Sequence, residues 1–355
     1  MAETVIIGGL SIGNGHPVRV ESMLKIPLSS REECLEQCRS LASCGCELVR
    51  AAFPSPELAG DLAWLNDRSS VPLMADIHFD PALALAALEA GTPSIRINPG
   101  NMARARLREV VASAREKKAV IRIGANGGSL NSAQLEKAGG VRSDALAAAV
   151  EEQLLILLDE GFQDIILSAK STSVHETVRA NSLLALKYPG YPFHIGITES
   201  GCGRDGLVKS AAGLALLLGQ GIGNTIRISL TESPLEEVRA GYSLLRALDL
   251  RQRGGSLISC PTCGRKRIEV RMIVDLVTPF LESLPDGVTV AVMGCEVNGP
   301  REAMDADFGI AGSPRGAVVF SKGTVLKEVP LEMVPELLEQ MAEETRRQKG
   351  NEEDN

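Results

Sequence analysis

The feature that most constrains the fold is a regular alternation of short β-branched segments with alanine- and leucine-rich helical segments over the first 250 residues. Eight segments have the length and composition of strands, namely residues 18–22, 47–51, 72–77, 94–98, 120–124, 164–168, 193–198 and 225–230. Several intervening helices begin with an N-cap residue and a first-turn proline, such as Asp80-Pro81 and Ser233-Pro234. The pattern predicts an α/β fold, an N-terminal (β/α)8 TIM barrel. A doubly wound open sheet is the alternative, and a leading strand at residues 4–7 is expected to close the barrel bottom.

The chain changes its rhythm after residue 250. Residues 250–258 include Gly254 and Gly255 and are typical of a short polar linker. Beyond them we expect a helix at 267–284, a strand at 288–293, a hairpin at 316–329 and a closing helix at 331–349, ended by Gly350. The domains are therefore predicted as a substrate-binding barrel (1–250), a smaller α+β domain (251–349) and a disordered acidic tail (350–355).

Polar side chains lie at or just after the predicted strand ends, where TIM barrels carry out chemistry. Residues two apart on a strand share a face, so Arg96 and Asn98 point together, as do Arg227 and Ser229. The complete set is Arg50, Asp76, His78, Arg96, Asn98, Arg122, Asn126, Lys170, His194, Glu199, Arg227 and Ser229. Because buried cations need an anionic partner and guanidinium groups match phosphate oxygens, the set predicts a barrel-mouth site for a phosphorylated small molecule.

Two simpler interpretations of that set stay open. Some of the arginines could pair with Asp76, Glu47 or Glu199 and only stabilise the barrel. His78 and His194, taken singly, are more typical of core histidines than of catalysts.

Three of the eight cysteines lie in the second domain, at Cys260, Cys263 and Cys295. A CxxC pair alone fits a redox dithiol, half of a zinc site or chance. Neither a fourth cysteine nor a histidine follows Cys295 to complete a structural zinc site. Three thiolates with an oxygen ligand instead suit an iron–sulfur cluster with one distinctive iron. The other five cysteines are expected to be small buried hydrophobes, namely Cys34, Cys38, Cys44, Cys46 and Cys202.

The segments around these residues resemble one enzyme family. Residues 260–265 read CPTCGR and residues 292–302 read VMGCEVNGPRE, while the barrel contains ADIHF (75–79), IRINPGN (95–101), HIGITE (194–199) and TIRISLT (225–231). Together they resemble the 4-hydroxy-3-methylbut-2-enyl diphosphate synthases, the iron–sulfur enzymes of the non-mevalonate isoprenoid pathway. The sequence departs from the family pattern at Met23-Leu24-Lys25-Ile26, at Gly127-Gly128, and at Arg301, where the family has glycine.

The resemblance implies specific site residues. It implies a [4Fe-4S] cluster held by Cys260, Cys263, Cys295 and Glu302. Asp76, His78 and Glu199 would line the reacting end, with Glu199 as the candidate proton donor. The residues implied to bind the substrate are Arg50, Arg96, Asn98, Arg122, Asn126, Lys170, Arg227, Ser229 and Asn298.

The resemblance also implies a reaction and its partners. Two electrons open the ring of 2-C-methyl-D-erythritol 2,4-cyclodiphosphate and expel the C3 oxygen as water. Since the sequence shows no nicotinamide- or flavin-binding signature, flavodoxin or ferredoxin is expected to supply the electrons. The family arrangement implies a homodimer whose sites are shared between chains; the linker length alone leaves closure within one chain open. The alternatives are a paralogous iron–sulfur reductase with another phosphorylated substrate, and a non-enzymatic phosphate-binding protein with structural zinc.

The overall composition excludes several classes of function. A net charge of −8 disfavours general nucleic-acid binding, which needs a basic face. No apolar run reaches the ~18 residues of a membrane span, and no signal peptide is visible at the start. We therefore expect a cytoplasmic protein whose thiols stay reduced.

Overall fold

The computed structural model describes residues 3–296 and 299–353, and the chain divides into two compact units, Met1–Arg251 and Gln252–Asn355. The first unit begins with an antiparallel hairpin of β1 (Val5–Ile7) and β2 (Leu10–Ile12). Its apolar side chains pack against Leu48, Met74, Val120 and Ile166. Those four residues lie at the starts of barrel strands, so the hairpin closes the amino-terminal end of the barrel, as the leading strand was expected to do.

Eight parallel strands follow. They are β3 (Arg19–Met23), β4 (Leu48–Ala52), β5 (Leu73–His78), β6 (Ser94–Ile97), β7 (Val120–Asn126), β8 (Ile165–Lys170), β9 (His194–Ile195) and β10 (Thr225–Ile226). The strands β3 to β8 pair in sequence order. β9 pairs with β10, and β10 pairs with β3. A parallel bridge between Leu167 and Phe193 joins β8 to β9. The (β/α)8 barrel is thus confirmed, and the open-sheet alternative is wrong.

Nine α-helices among the described residues of the first unit surround or flank this barrel. They are α1 (Arg31–Ser43), α2 (Ala59–Arg68), α3 (Pro81–Glu89), α4 (Arg104–Glu116), α5 (Ser132–Lys137), α6 (Arg142–Asp159), α7 (Val174–Lys187), α8 (Gly203–Leu218) and α9 (Pro234–Ala247). Asp80 caps α3, since its carboxylate accepts a hydrogen bond from the Ala82 amide at 2.8 Å. Their buried faces are mostly Leu, Val and Ala, which pack on the Ile- and Val-rich strands.

Five strands differ in length from the prediction; β6 is one residue shorter, and the other four differences affect the site. β7 and β8 run further, to Asn126 and Lys170, which are paired in register. β9 and β10 stop after two residues each. Beyond β9, a Cβ atom at Gly196 would lie 2.6 Å from the Arg227 carbonyl oxygen, so the two backbones approach too closely there for any residue but glycine. The chain therefore continues along the barrel wall outside the regular strand ladder.

The second unit is a five-stranded sheet with helices. Its elements are β11 (Ser256–Ser259), α10 (Val270–Leu281), β12 (Thr289–Met293), α11 (Gly299–Glu302), β13 (Phe308–Ser313), β14 (Gly316–Ser321), β15 (Thr324–Val329) and α12 (Val334–Glu353). β11, β12 and β13 are parallel neighbours, and β14 and β15 continue the sheet as an antiparallel hairpin. An apolar cluster that includes Ile273, Val277 and Leu338 packs the helices on the sheet.

Two strands of this sheet escaped the sequence analysis. The linker predicted to run to residue 258 ends earlier, because Ser256–Ser259 forms the edge strand β11. That segment is short and only partly buried, so its period-2 pattern is weak. β13 contains Gly309 and Gly312, which lower strand propensity. Gly309 is required all the same, since a Cβ there would lie 2.7 Å from the Ala291 Cβ.

The closing helix also extends beyond its predicted end. α12 runs through Gly350 to Glu353, because a single glycine costs a helix only about 1 kcal/mol and does not by itself end it. Among the described helices, none combines the length and the apolar character that a membrane span requires.

Candidate active site

The carboxyl ends of the barrel strands surround a polar cavity of about 80 Å³ that opens to solvent. Its lining side chains are Arg50, Asp76, Arg96, Arg122, Asn126, Ser168, Lys170, Thr198, Arg227 and Ser229. The structure thus brings together seven of the nine residues predicted to bind substrate, together with Asp76. The long strands β7 and β8 place Asn126 and Lys170 directly in this lining.

Asp76 lies between two of the cavity arginines. Its carboxylate is 3.6 Å from Arg50 Nε and 3.5 Å from Arg96 Nη1. Burial lowers the pKa of Arg96 to about 10, and the negative charge of Asp76 opposes that change. Asp76 therefore offsets part of the repulsion between two guanidinium groups that face the same cavity.

Arg122 forms an ion pair with a carboxylate on the first barrel strand, β3. Arg122 Nη1 donates to Glu21 Oε2 at 2.5 Å, and both side chains are buried. Burial lowers the pKa of Arg122, and the Glu21 charge acts in the opposite sense. This is a fully desolvated ion pair, in which the loss of either partner would leave an uncompensated charge.

Lys170 and His194 form a second buried contact at the cavity floor. Lys170 Nζ lies 2.7 Å from His194 Nε2, and His194 Nδ1 lies 2.8 Å from Thr225 Oγ1. Glu21 Oε2 is 3.5 Å from the same Nδ1. Burial and then the neighbouring cations lower the pKa of Lys170 and of His194 well below their ordinary values, so the imidazole is neutral.

Arg227 is positioned by a carboxylate from helix α9. Arg227 Nε is 3.4 Å from Glu237 Oε2, and the Glu237 side chain is buried. Lys25 Nζ reaches the other oxygen of Glu237 at 3.3 Å and donates to the Leu230 carbonyl at 2.9 Å. Lys25 belongs to the segment that departs from the family pattern, so the departure adds a cation beside Arg227.

The described ionisable side chains at the barrel mouth do not balance. Asp76, Glu21 and Glu237 face the five cations Arg50, Arg96, Arg122, Arg227 and Lys25. Two positive charges therefore remain before Lys170 is counted. Arg50 and Arg96 do pair with Asp76, as the barrel-stabilising interpretation expects, but this pairing does not neutralise all of the cations. A surplus of buried positive charge favours an anionic ligand.

Two predicted barrel residues, Asn98 and Glu199, lie outside the lining of this cavity, and the side chains of two other predicted residues are not among those described. Asn98 follows β6, at the start of a 3-10 turn, and lines an adjoining pocket with Asn131 and Gln134. Glu199 is exposed, has a φ of 50° and does not line the cavity, although its neighbour Thr198 does. His78 ends β5, and its side chain is not among those described. Asn298 lies outside the described residues.

In the second unit, two cysteines follow the carboxyl ends of neighbouring strands. With Cys263 and Glu302 they make up the region that we call the cysteine edge. β11 and β12 are parallel, so Cys260, just after β11, and Cys295, two residues after β12, follow the same ends of neighbouring strands. The Gly294 amide donates to Cys260 Sγ at 3.1 Å, and a Cβ on Gly294 would lie equally close to that sulfur. Glycine thus allows the two cysteine segments to approach, with an amide aimed at the sulfur.

Cys263 and Glu302, the other two predicted cluster ligands, are exposed. Hydrogen bonds from the Arg265 backbone and side chain lower the pKa of Cys263, which favours the thiolate, the form that binds metal. The described side chains contain no ready-assembled group of three or more His, Cys, Asp or Glu at metal-binding distances. The donor chemistry fits an iron–sulfur cluster, and the four-ligand set stays a prediction.

Comparison with known proteins decides the family. Residues 2–242 match the model of the GcpE TIM-barrel domain, and residues 256–344 match the model of the GcpE protein C-terminal domain. The chain belongs to the GcpE family. The two matched segments cover most of both structural units, so the family assignment applies to the barrel and to the cysteine-bearing sheet alike.

Individual relatives of this GcpE chain are similar over almost their full length. A protein from Thermodesulfovibrio yellowstonii is 44% identical over 339 residues, which cover 95% of this chain and 97% of that protein. One from Geobacter sulfurreducens is 44% identical over 325 residues, which cover 91% and 92%. Both are named 4-hydroxy-3-methylbut-2-en-1-yl diphosphate synthase (flavodoxin).

Among solved structures, the GcpE barrel is similar to dihydropteroate synthase from Stenotrophomonas maltophilia. The TM-score is 0.51 at 15% identity, and the match covers 70% of this chain and 98% of that chain. A dihydropteroate synthase from Yersinia pestis gives 0.50 at 12% identity, with 69% and 99% covered. At such low identity the likeness shows the barrel fold alone.

Besides Ser168 and Thr198 in the cavity lining, sequence reasoning missed the two carboxylates Glu21 and Glu237 of the GcpE site. Each is buried and holds a cavity arginine. A signal existed for Glu21, since a glutamate inside a predicted barrel strand needs a partner if it is buried. Glu237 lies in the first turn of α9, where acidic residues are common for helix-dipole reasons, so nothing in the sequence set it apart.

The remaining cysteines largely behave as expected. Cys34, Cys38 and Cys46 are buried, and burial raises their pKa values to about 11, 11 and 12. Such thiols stay protonated and unreactive. Cys44 is half-buried. The prediction is wrong for Cys202, which is exposed at the N-cap of α8.

Proposed function

We infer that this chain is a 4-hydroxy-3-methylbut-2-en-1-yl diphosphate synthase acting in isoprenoid biosynthesis. It reduces 2-C-methyl-D-erythritol 2,4-cyclodiphosphate with two electrons and two protons, opening the cyclic diphosphate and releasing the C3 oxygen as water. The observation that carries this inference is the surplus of positive charge at the barrel mouth, in a chain of which 95% aligns with a synthase at 44% identity.

The cavity residues would bind the diphosphate of the substrate. Arg50, Arg122 and Arg227 present guanidinium groups to one cavity, and Asn126 and Ser229 add neutral polar groups. Asp76, Glu21 and Glu237 hold the arginines in place, so little side-chain ordering is left for the moment of binding. Arg96 and Lys170 complete the proposed diphosphate set, while Asn98 and Asn298 are proposed at its edge.

The reacting end of the substrate is proposed to meet Asp76, His78 and Glu199. Glu199 is the candidate proton donor for the departing hydroxyl. Its exposed side chain follows Thr198, which lines the cavity, so a small local movement would bring the carboxyl group to a bound substrate.

A [4Fe-4S] cluster is proposed on Cys260, Cys263, Cys295 and Glu302. The Gly294 amide at the Cys260 sulfur and the lowered pKa of Cys263 both support metal-bound thiolates there. When bound, such a cluster supplies the electrons for the reduction and one iron that a carboxylate holds less firmly than a thiolate would. The protein contributes the thiolates, their amide hydrogen bonds and the exposed turn that carries Cys263.

Flavodoxin is the proposed electron donor, because the relatives carry it in their names, and ferredoxin is the alternative. A cytoplasmic location is proposed with this chemistry, because the three thiols proposed to hold the cluster must stay reduced.

A homodimer with sites shared between chains is proposed on the family arrangement. Co-expressed Cys260→Ser and Arg227→Ala chains test it. If sites are shared, half of the dimers are mixed and each mixed dimer has one intact site, so roughly a quarter of wild-type activity returns. Inactive preparations in which mixed dimers are shown to be present would contradict the shared site.

An anaerobic assay tests the function itself. Protein reconstituted with iron and sulfide, given the cyclodiphosphate and a chemical reductant, should form the open allylic diphosphate, as followed by phosphorus NMR. A brown protein that leaves the cyclodiphosphate intact would favour the paralogous reductase. A colourless protein that keeps zinc after reconstitution would favour the non-enzymatic phosphate-binding protein.

A further inference from the structure

Lys170 is the one lysine side chain described in the lining of the barrel-mouth cavity, and its surroundings are unusual for a lysine. It ends strand β8, is almost fully buried and places Nζ 2.7 Å from His194 Nε2. A Cβ on Gly196 would lie 3.4 Å from Nζ, so the glycine leaves room for the amine. Because Glu21 Oε2, which accepts, lies 3.5 Å from His194 Nδ1, we assign the imidazole proton to Nδ1, which leaves Nε2 to accept from Lys170.

The charges that face this amine come from every side of the barrel. Positive groups are Arg50 on β4, Arg122 on β7 and Arg227 after β10, while Glu21 on β3 is the nearby carboxylate. Asp76 and Arg96 line the same cavity from β5 and β6. Since two positive charges already remain unbalanced at the mouth, a further charge on Lys170 is unfavourable while the cavity holds no anion.

An entering anion reverses this balance. A doubly charged group among the arginines cancels the surplus and turns the site from one that repels a proton into one that attracts it. Lys170 can donate to His194 Nε2 as an amine or as an ammonium, so the hydrogen bond persists in both states.

We propose that binding of the substrate's diphosphate is coupled to uptake of one proton by Lys170, with His194 as the positioning residue that holds the amine for it. The proposal rests on the function inferred above, because it requires that the cavity takes an anion. The direction of the pKa shifts agrees, since burial and the surrounding cations lower the pKa of Lys170 well below 10.5. The proton arrives from solvent and the amine becomes an ammonium; no covalent bond of the substrate changes.

Proton uptake has a measurable consequence for affinity. When one proton is taken up per anion, the dissociation constant rises about tenfold for each pH unit between the pKa of Lys170 in the empty site and its pKa in the occupied site. Sulfate is the suitable probe, because it carries two charges and does not itself titrate near neutral pH. Pyrophosphate, which resembles the substrate group more closely, serves to establish that the cavity binds anions at all.

The experiment is calorimetry of sulfate binding to the complete chain at several pH values, in two cationic buffers with different ionisation enthalpies. The wild type should take up close to one proton per sulfate and bind more weakly as the pH rises. Lys170→Met, which keeps the buried shape, should take up none and show a nearly constant affinity. Lys117→Met, at an exposed lysine after α4, is the matched control and should behave as the wild type.

A variant of the histidine locates the proton. His194→Gln keeps an acceptor for Nζ but cannot titrate, so proton uptake should survive in it. Loss of uptake in that variant would move the proton to the imidazole and overturn the assignment to Lys170. Equal uptake in Lys170→Met and the wild type would overturn the proposal as a whole.

The outcomes separate this inference from the proposed function. If wild-type protein binds pyrophosphate and sulfate without proton uptake, the coupling is wrong and the anion site stands. If neither anion binds near neutral pH, the anion site fails, and both the proposed function and the coupling fail with it.

Discussion

The barrel mouth and the cysteine edge differ in how their functional residues are held. At the mouth, packing and ion pairs fix the side chains before any ligand arrives, as Arg122 with Glu21 and Arg227 with Glu237 show. At the cysteine edge, Cys260 accepts an amide hydrogen bond, but Cys263 lies exposed on a turn where Thr262 has a φ of 66°. One site is organised by the fold, and the other would be organised by the proposed cluster.

The difference follows from the chemistry of the two ligand types. Guanidinium groups are always charged, so a barrel that buries them must supply carboxylates during folding. Thiols can remain neutral and exposed without such cost, and metal binding itself then provides the free energy that orders them. Substitutions in the two regions should therefore impair different properties of the protein.

The largest effect is expected at the cysteine edge. Cys263→Ser should lose most of the iron and the visible absorption of reconstituted protein, because serine is a poor ligand for the cluster. Anion binding by the barrel should remain. Iron analysis and absorption spectra measure the first effect, and sulfate calorimetry the second. Cys202→Ser, at an exposed cysteine outside the edge, is the control and should keep its iron. Full iron retention in Cys263→Ser would contradict the assignment.

Arg227→Ala should give the reverse pattern. A charge-assisted hydrogen bond is worth about 1.5–3 kcal/mol, so the dissociation constant for the diphosphate should rise by about ten- to a hundredfold. The spectrum of the cluster should be unchanged. Substrate titrations and Michaelis constants measure the change, with the exposed Arg106→Ala as control. An unaltered Michaelis constant and rate would remove Arg227 from the site.

The pH dependence of stability should distinguish the buried mouth from the exposed edge. Because the pKa of Lys170 is lowered, the unfolded chain binds more protons than the folded chain between that lowered pKa and 10.5. Stability of the empty barrel therefore rises with pH across this window, by up to about 1.4 kcal/mol per pH unit from this group.

Urea unfolding of wild type and Lys170→Met at several pH values measures the contribution of Lys170. The methionine variant should be the more stable of the two below pH 10.5, with a difference that shrinks as the pH rises. A difference that stays constant with pH would show that Lys170 titrates alike in the folded and unfolded chains.

The smallest effect is expected at Lys25. Its ammonium shares Glu237 with Arg227 and is partly exposed, so the pair is worth about 0.2–1 kcal/mol. Lys25→Asn should leave Arg227 more firmly paired with Glu237 and weaken sulfate binding by about two- to fivefold. Calorimetry at low and high salt measures this, since the difference should shrink with salt. Tighter sulfate binding in the variant would show that Lys25 restrains Arg227 instead of freeing it.

The sequence predicts the barrel and most of the cation set for a clear reason. Strand ends recur at each β–α unit, and charged residues at those ends converge when the barrel closes, so Arg50, Arg122 and Arg227 could be found from spacing. Two partners of these cations could not be found, because Glu21 meets Arg122 across the barrel and Glu237 reaches Arg227 from helix α9, and neither contact follows a strand or helix period. The exposure of Glu199 could not be predicted, since the regular strand β9 ends at Ile195 and Glu199 follows it outside the strand ladder.

The second unit shows the limit of pattern reasoning more plainly. β13 carries two glycines because neighbouring strands approach closely there, and tertiary contact of that kind leaves no period-2 signal. The cysteine spacing was informative, because ligand chemistry constrains it more strongly than strand propensity constrains an edge such as Ser256–Ser259.

The pairing between β8 and β9 is a weak part of the barrel wall. In the part of the chain that the structure describes, a bridge between Leu167 and Phe193 takes the place of a regular ladder there. Lys170 ends β8 and His194 begins β9, so their side-chain contact connects these two strands. Hydrogen exchange should be fastest where a wall has fewest backbone bonds. Slower exchange of the β8 and β9 backbone amides after anion binding would then show that the ligand stabilises the barrel wall between these two strands.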